Sequence, residues 1–507
     1  MGSSINHCPD TVSVTDVLLI HPSYHRRAGS GIIPPLGLAY IAASLETQGF
    51  SVAILDCALD CGSQSPSGLK AFQQYLDRKL SQIAPRYCVG VGPTTTPALK
   101  SIDVLAQSLQ RHYPQLPIIY GGPFASMPSQ APIFFNRLGA TALIRGEGEQ
   151  AFPALVNALQ QGKRGESLPG VAWDATEQPA AALVAEINQL PFPARHLLEN
   201  QRYRPSLRRN IFDGPMTPIY WSRGCPYQCN FCVSPMLRGR RISRRSLANL
   251  FAEMRQCVEQ FDIRGFIFYD DCLFLKSERL NQEVQAFCQE LTAQVGPIQW
   301  EMELRCDAIA TLSPKSVEAL YGAGCRQINM GIEKASDRQL KTLEKHLVIE
   351  DVVAACSQVK AVVPAMRLAG TFILGGPDET EAEIETLVGF AQSLELDFAH
   401  FYPLSVYPGT PFFDTLFGDD ASPTAWADRL LADEGNYWGE ILYETDALPA
   451  WRLLELVHWA YNTFYQRRQW LERLVTTTSP AVRQNAQSVV DRWCQDRFHL
   501  SLEEVVR

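Results

Sequence analysis

Short apolar stretches alternate with helix-length stretches in two separate series along this chain of 507 residues, and this alternation limits its fold more than any other feature. The strand candidates of the first series are rich in Val, Ile and Leu, as expected for strands buried on both faces of a parallel sheet. They lie at 16–20, 51–55, 87–91, 117–120 and 141–144. The first series therefore predicts a doubly wound, Rossmann-like α/β domain over residues 14–165.

The second series contains six strand candidates, separated mostly by helix-length stretches, over residues 215–420. They lie at 219–222, 265–269, 298–304, 327–332, 370–374 and 399–404. Six βα units are too few for a closed eight-stranded barrel, so we expect a partial, TIM-like (β/α)6 barrel. A connector over 166–214 joins the two series, and apolar residues at helical spacing predict a helical region over 421–507.

The charge balance argues against a nucleic-acid partner, because 54 acidic residues outnumber 45 basic ones and give a net charge of −9. Arginine-rich segments at 202–209 and 238–245 are local exceptions. The sequence contains no run of about 18 apolar residues, so it predicts no transmembrane segment. The first residues also lack the pattern of a secretory signal. We therefore expect a cytoplasmic protein, in which disulfides between its 14 cysteines are not expected.

Three of the 14 cysteines form a tight group, Cys225, Cys229 and Cys232, with the spacing C-x3-C-x2-C. The group follows the first strand of the second series, at the carboxyl edge where barrel active sites lie. Thiolates at this spacing can wrap one iron–sulfur cluster. Three thiolates would leave one iron open, as a catalytic metal site requires. A structural zinc site would need a fourth Cys or His, and none follows within 20 residues.

With Phe231 before its last cysteine, the motif resembles the signature of the radical S-adenosylmethionine (SAM) superfamily. The resemblance implies a [4Fe–4S] cluster whose open iron binds the amino and carboxylate groups of SAM, so that one electron cleaves SAM to a 5′-deoxyadenosyl radical. Residues at successive strand ends resemble the SAM-binding positions of the superfamily. The implied cofactor contacts are Phe231, Asp270, Asp271, Glu303, Arg305, Gly331, Glu333 and Gly375.

The α/β domain in front of the barrel resembles that of the cobalamin-dependent subclass of radical SAM enzymes. The implied cobalamin contacts lie in the loops after its strands, at Pro35, Gly37, Thr94, Thr95, Gly121, Gly122, Gly146, Glu147 and Glu149. The histidine-ligating motif D-x-H-x-x-G is missing after the first strand, where His21-Pro22-Ser23-Tyr24-His25 stands. The domain is therefore expected to bind cobalamin without a lower histidine ligand, or to be a scaffold that binds none.

The resemblance implies methylation of an unactivated carbon of a small molecule, in which one SAM methylates cobalamin and another supplies the radical. The alternative is an anaerobic cyclase that acts on a magnesium-porphyrin ester without methyl transfer. The order of domains and the first strand segment, residues 18–22, also resemble that enzyme. A non-catalytic carrier of cobalamin or of an iron–sulfur cluster is an alternative of another class. A catalytic role also implies a low-potential electron donor, flavodoxin or ferredoxin. The substrate stays open between lipid, tetrapyrrole, peptide and other natural products.

Overall fold

The computed structural model describes residues 12–23, 32–61, 68–127, 130–205, 211–418 and 443–465. Its N-terminal sheet has six strands: β1 (Ser13–His21), β2 (Val52–Asp56), β3 (Ile83–Val91), β4 (Ile118–Gly121), β5 (Ala142–Ile144) and β6 (Val171–Ala172). Their order is β2-β1-β3-β4-β5-β6. Strands β1 to β5 pair in parallel, and β6 runs antiparallel to β5. All five strands that the sequence predicts for this domain are present.

Helices cover both faces of the N-terminal sheet. They are α1 (Leu36–Glu46), α2 (Cys57–Cys61), α3 (Leu69–Leu80), α4 (Leu99–His112), α5 (Pro123–Ser126), α6 (Ala131–Asn136) and α7 (Gly148–Gln160). Along β1, Leu18 and Ile20 pack into a core with α3 and α4, whereas Val17 and Leu19 pack into a second core with α1 and α7. This alternation follows from the two-residue period of a strand, and it confirms the doubly wound α/β domain.

The second sheet is the partial barrel that the sequence predicts. Its six parallel strands, in spatial order from one edge to the other, are β7 (Met216–Ile219), β10 (Gly265–Phe268), β11 (Gln299–Glu303), β12 (Cys325–Glu333), β13 (Arg367–Leu374) and β14 (Phe398–Pro403). Two further short strands, β8 (Ser222–Arg223) and β9 (Ser243–Arg244), pair antiparallel outside this sheet. The cysteine motif lies in the loop between them.

Ten helices accompany the barrel strands in the described part of the chain: α8 (Ser234–Arg238), α9 (Leu247–Phe261), α10 (Leu280–Val295), α11 (Cys306–Ile309), α12 (Pro314–Gly322), α13 (Asp337–Thr342), α14 (Ile349–Val362), α15 (Glu381–Ser393), α16 (Pro411–Phe417) and α17 (Ala450–Tyr465). Local sequence explains where several begin. The side chains of Ser246, Ser313 and Thr380 accept N-terminal amide hydrogens of α9, α12 and α15, and Glu383 completes a capping box with Thr380.

The first barrel strand corrects the sequence prediction, because it covers Met216–Ile219 and not 219–222. The apolar pattern continues through Tyr220 and Trp221, so the pattern alone does not mark the strand end. The structure ends the ladder there because the Trp221 amide donates to Asp270 Oδ2 at 3.1 Å. Ser222 and Arg223 then belong to the separate strand β8.

The sequence also predicts a connector over 166–214 and a helical region over 421–507. Within the predicted connector 166–214, strand β6 extends the N-terminal sheet. Of the predicted helical region 421–507, the structure describes 443–465, where α17 packs on β14, and the rest lies outside the described residues. No helix within the described ranges combines the length and apolar character needed to cross a membrane.

Candidate active site

The cluster loop, defined as residues 224–232, leaves β8 through a turn that only glycine can make. Gly224 has φ +96°, and a Cβ at this position would lie 2.3 Å from the carbonyl oxygen of Arg241. Both features exclude other residues, since a positive φ and a backbone collision penalise any side chain. The turn places Cys225 immediately after strand β8.

The three cysteines of the loop are half-buried and carry free thiols. The Cys232 amide donates to the Cys229 carbonyl at 3.1 Å, which curls the chain between the last two thiols. Burial raises the pKa of Cys225 and of Cys229. Among the described residues, no three His, Cys, Asp or Glu side chains converge on a single metal ion. The spacing of the three thiols fits an iron–sulfur cluster, in which each thiolate binds a different iron.

Two adjacent carboxylates at the end of β10 hold both ends of the cluster loop in place. Asp270 is buried and accepts hydrogen bonds from the amides of Trp221 and Ser222, and from Ser222 Oγ at 2.6 Å. Asp271 accepts from the Gly224 amide at 3.2 Å and from Ser234 Oγ at 2.7 Å. The Asp270 carboxylate thus faces the backbone just before the cluster loop.

The middle of the cluster loop is tied to two barrel segments through Asn230. Its amide donates to the Leu343 carbonyl at 3.3 Å, its side chain donates to the Thr342 carbonyl at 2.9 Å, and its own carbonyl accepts from the Phe412 amide at 3.1 Å. Phe231, an implied SAM contact, packs against an apolar core that also contains residues of the N-terminal sheet. Hydrogen bonds at Gly224 and at Asn230 therefore hold the start and the middle of the cluster loop against the barrel.

A cationic group lies beside Cys229 and includes one residue that sequence reasoning missed. Arg305 lies 3.9 Å from the ring centroid of Tyr227 and donates to the carbonyls of Lys345 and His346. Lys345, which is buried, contacts Glu333 Oε1 at 2.8 Å. Burial disfavours its charge, but the Glu333 carboxylate outweighs this and raises the pKa of Lys345. No local motif signals Lys345, because it follows a helix rather than a strand.

Four implied SAM positions lie at the carboxyl ends of the barrel strands. A Cβ on Gly331 would lie 2.5 Å from Glu333 Oε1 and 2.8 Å from Lys345 Nζ, so this glycine leaves room for the ion pair. Glu333 itself has φ +70°. Gly375 has φ +79° and packs against Leu453 of α17. Glu303 is exposed at the end of β11.

A cavity of about 730 Å³ opens at the carboxyl edge of the N-terminal sheet. It lies at the switch point between β1 and β3, where ligands of doubly wound sheets bind. Eight of the nine implied cobalamin contacts line it: Pro35, Gly37, Thr95, Gly121, Gly122, Gly146, Glu147 and Glu149. A Cβ on Gly37 would meet nothing within 4 Å, since this glycine faces the cavity. A floor of glycines and prolines fits a flat macrocycle, such as the corrin of cobalamin.

Thr94 is the one implied cobalamin contact that does not line the cavity. Its side chain is fully buried, and Thr94 Oγ1 accepts a hydrogen bond from the Ala125 amide at 3.1 Å. Its amide donates to the Gly121 carbonyl at 2.9 Å. Thr94 therefore supports the cavity floor from beneath. The neighbouring Thr95 and Thr96 line the cavity instead.

The opposite wall of the same cavity belongs to the barrel domain. Its residues flank the cluster loop or follow the barrel strands: Tyr220, Arg223, Val233, Leu237, Arg238, Tyr269 and Tyr407. Arg223 contacts Glu147 at 3.0 Å and Glu149 at 2.7 Å, and all three side chains are buried. Burial opposes its charge, but Glu149 and Glu147 raise the pKa of Arg223 above its ordinary range. The two implied cofactor contacts Glu147 and Glu149 thus join the two domains.

A second buried polar group joins the domains behind the cavity. Glu253 of α9 contacts Arg195 at 2.7 Å, pairs with Arg245 and accepts from the Tyr40 hydroxyl of α1 at 3.3 Å. Burial raises the pKa of the Glu253 carboxyl, but the two guanidinium groups outweigh it and lower the pKa overall. Two separate ionic groups therefore fix the cavity walls relative to each other.

Comparisons with known families agree with this two-part site. A model of the Radical SAM superfamily matches residues 219–391, and a model of the B12 binding domain matches residues 27–156. The chain therefore carries a radical SAM domain and a B12-binding domain. This assignment confirms the predicted cofactors of the radical SAM enzyme, which are a [4Fe–4S] cluster, SAM and cobalamin.

Named relatives of this radical SAM enzyme cover most of its length. An uncharacterised methyltransferase of Pyrococcus horikoshii is 27% identical over 90% of this chain and 94% of its own. The anaerobic magnesium-protoporphyrin IX monomethyl ester cyclase of Rubrivivax gelatinosus is 24% identical over 90% of this chain and 78% of its own. TsrM, a radical SAM methyltransferase of Kitasatospora setae solved with tryptophan and a SAM analogue, has the same fold. It gives a TM-score of 0.62 at 19% identity, over 92% of this chain and 89% of TsrM.

Proposed function

We propose that this radical SAM enzyme methylates an unactivated carbon of a small molecule, using a methyl group that passes through cobalamin. The observation that carries the proposal is the shared cavity. One wall consists of the loops expected to contact cobalamin, and the other consists of residues beside the cluster loop, such as Tyr220 and Val233. A substrate in this cavity can face both cofactors at once, which methyl transfer to a carbon radical requires.

Under this proposal, the residues in and around the cluster loop have distinct roles. Cys225, Cys229 and Cys232 would hold the cluster through their thiolates and leave one iron without a protein ligand. When bound, the cluster and SAM supply the 5′-deoxyadenosyl radical, and cobalamin supplies the transferable methyl group. Arg305 and Lys345 offset the negative charge beside Cys229. Asp270 and Asp271 keep the loop in register with β10.

The carboxylates that line the cavity are placed for structure rather than for proton transfer. Glu147 and Glu149 both pair with Arg223, so neither is poised as a free general base. Abstraction of a hydrogen atom by a carbon radical needs no such base. The site therefore matches radical chemistry better than hydrolysis or another acid–base reaction.

The barrel wall suggests the class of substrate. Tyr220 and Tyr269 pack edge to face with ring centroids 6.2 Å apart, and Tyr407 lies on the same wall. Arg238 lies 5.5 Å above the Tyr220 ring, and its nearest carboxylate oxygen, on Asp271, is 3.7 Å away. Aromatic rings suit an apolar or planar body, and a loosely paired arginine suits an anionic group. We infer a substrate with both features.

The proposal can be tested with SAM that carries a deuterated methyl group. The reconstituted enzyme is incubated with this SAM, a low-potential reductant and small molecules extracted from the source cells, and products are found by mass spectrometry. We expect a product that carries the intact deuterated methyl group on carbon and that needs added cobalamin. A variant with Cys225, Cys229 and Cys232 replaced by Ala is the control. Deuterated methyl on oxygen or nitrogen only would contradict the proposal.

A second candidate function is oxidative cyclisation without methyl transfer. The likeness to the cyclase of Rubrivivax gelatinosus, which covers 90% of this chain, supports it. Both reactions fit the same cofactors and the same cavity. The experiment with deuterated SAM distinguishes the two reactions, because a cyclase would leave no deuterated methyl group in the product.

A further inference from the structure

The segment between the cluster loop and β9 is strongly basic in an acidic chain. Residues 238–245 contain five arginines and no carboxylate, although the chain as a whole has a net charge of −9. A local excess of one charge sign next to a functional site often guides a partner of the opposite sign. Only arginines without an acidic neighbour inside the protein are available to such a partner.

Three of the five arginines are already engaged inside the protein, Arg244 and Arg245 by close acidic partners and Arg238 at the cavity wall. Arg238 lies 3.7 Å from Asp271, Arg244 lies 2.6 Å from Glu283, and Arg245 pairs with the buried Glu253. The other two, Arg240 and Arg241, are exposed. Neither forms an ion pair or a side-chain hydrogen bond with any residue that the structure describes. Two uncompensated guanidinium groups therefore face solvent side by side.

These two arginines lie close to the first cluster ligand. The carbonyl oxygen of Arg241 lies 2.3 Å from the point where a Cβ of Gly224 would be, so the two backbones touch. Gly224 immediately precedes Cys225. The pairing of β8 with β9 holds this contact, with Arg223 opposite Ser243. An acidic partner bound to Arg240 and Arg241 would thus stand beside the cluster loop.

We propose that Arg240 and Arg241 form the docking surface for an acidic protein that carries a low-potential, one-electron flavin or iron–sulfur centre. This proposal rests on the proposed function, because only a cluster that must be reduced needs such a donor. The donor loses one electron and the cluster held by Cys225, Cys229 and Cys232 gains it, while no atom or proton is transferred. The charge pair raises the rate of encounter, and salt weakens this effect.

The test compares a protein donor with a chemical one. Formation of 5′-deoxyadenosine by the reconstituted enzyme is measured with reduced flavodoxin and, separately, with dithionite. In the Arg240→Glu, Arg241→Glu double variant we expect the flavodoxin-driven rate to fall about tenfold or more at low salt. The dithionite-driven rate should stay within about twofold of wild type. The Arg240→Lys, Arg241→Lys variant should keep most of the flavodoxin-driven rate.

Lys163 and Arg164 provide a matched control pair, since they are adjacent, exposed and just beyond the carboxyl end of α7. Because α7 runs back from the cavity edge of the sheet, this pair lies away from the cluster loop. Their replacement by Glu should change neither rate. An unchanged flavodoxin-driven rate in the Arg240→Glu, Arg241→Glu variant would overturn the docking proposal. An equal loss with dithionite would also overturn it, because the arginines would then act on the cluster or the substrate.

Direct binding of flavodoxin separates a failure of this proposal from a failure of the proposed function. Its affinity for wild type and for the Arg240→Glu, Arg241→Glu variant is measured by titration, without turnover. Weaker binding by the variant, even in a protein that methylates nothing, supports the docking surface. Equal binding overturns it. Replacement of flavodoxin by a short DNA duplex tests a nucleic-acid partner, and binding of DNA but not flavodoxin would also overturn the proposal.

Discussion

Arg223 Nη2 lies 2.7 Å from Glu149 Oε1, and this contact joins the strand before the cluster loop to the first turn of helix α7 in the cobalamin-binding domain. Arg223 stands two residues before Cys225, and Glu149 lines the cavity. One buried guanidinium therefore sets the position of the cluster loop relative to the cavity floor. Because Glu147 contacts the same side chain, the two domains cannot separate without exposing or unpairing three charges.

Replacement of Arg223 by Met should destabilise the protein strongly. It leaves two buried carboxylates without a partner, which costs about 3–5 kcal/mol of unfolding free energy. Thermal or denaturant unfolding measures this loss. Arg264→Met is the control, because Arg264 is exposed and its nearest carboxylate oxygen is 3.9 Å away. Equal midpoints for both variants would show that the Arg223 pair does not hold the domains together.

Gly331→Ala should disturb the site beside Cys229. The added methyl group would collide with Glu333 Oε1 and Lys345 Nζ, at 2.5 Å and 2.8 Å, and push the ion pair apart. Because both atoms end flexible side chains that can shift, we expect a small loss of stability, about 1 kcal/mol, together with weaker SAM binding. Gly376→Ala is a close control, since its Cβ would meet its nearest atom only at 3.9 Å. If both variants bind SAM as wild type does, the pair has no role in the SAM site.

Asp270 should make stability depend on pH in the weakly acidic range. Burial raises the pKa of its carboxyl from the ordinary 3.8 to about 6, so the folded protein holds this proton more tightly than the unfolded chain. The stabilisation from Asp270 is fully present below pH 3.8 and is lost as the pH rises through about 6. Asp270→Asn removes this titration.

Denaturant unfolding of wild type and Asp270→Asn across this pH range checks the sign. The unfolding free energy of wild type minus that of the variant should fall as the pH rises from about 4 to about 6.5. A difference that stays constant over the range, or that grows with pH, would contradict the expected direction. The comparison cancels all other titrating groups that the two proteins share.

Tyr465→Phe should loosen the open edge of the barrel. The Tyr465 hydroxyl accepts from the Ala399 amide at 3.1 Å and donates to the Ala399 carbonyl at 2.7 Å, which satisfies two backbone groups of the edge strand β14. Their loss should cost about 1–3 kcal/mol. Faster hydrogen exchange of the Ala399 amide would report it. Trp451→Phe, on the exposed face of the same helix, should leave that exchange rate unchanged.

The sequence predicts the two sheets well because buried parallel strands carry their own signal. Residues 17–20 are apolar without interruption, and the structure buries them on both faces. The end of the first barrel strand is different, since Tyr220 and Trp221 are as apolar as the strand itself. Only the distant carboxylate of Asp270 ends the ladder there.

The sequence locates the candidate cofactor contacts, but it does not indicate the residues that support them. The three cysteines and the cavity loops stand next to strand ends, where a pattern in the chain locates them. Arg223 and Glu149 are 74 residues apart, and nothing local in either segment indicates that they meet. Thr94 and Thr95 look alike in the sequence, yet one supports the cavity floor and the other lines the cavity. Such differences depend on packing between domains.

The most direct test of the account is to quantify 5′-deoxyadenosine and S-adenosylhomocysteine together. The enzyme is reconstituted without oxygen and incubated with SAM, reductant and an extract of the source cells, with and without cobalamin. We predict that both products form in comparable amounts, that S-adenosylhomocysteine requires cobalamin, and that the variant with all three cluster cysteines replaced by Ala forms neither. Formation of 5′-deoxyadenosine alone, or of neither product by enzyme with cluster and cobalamin loaded, would contradict the account.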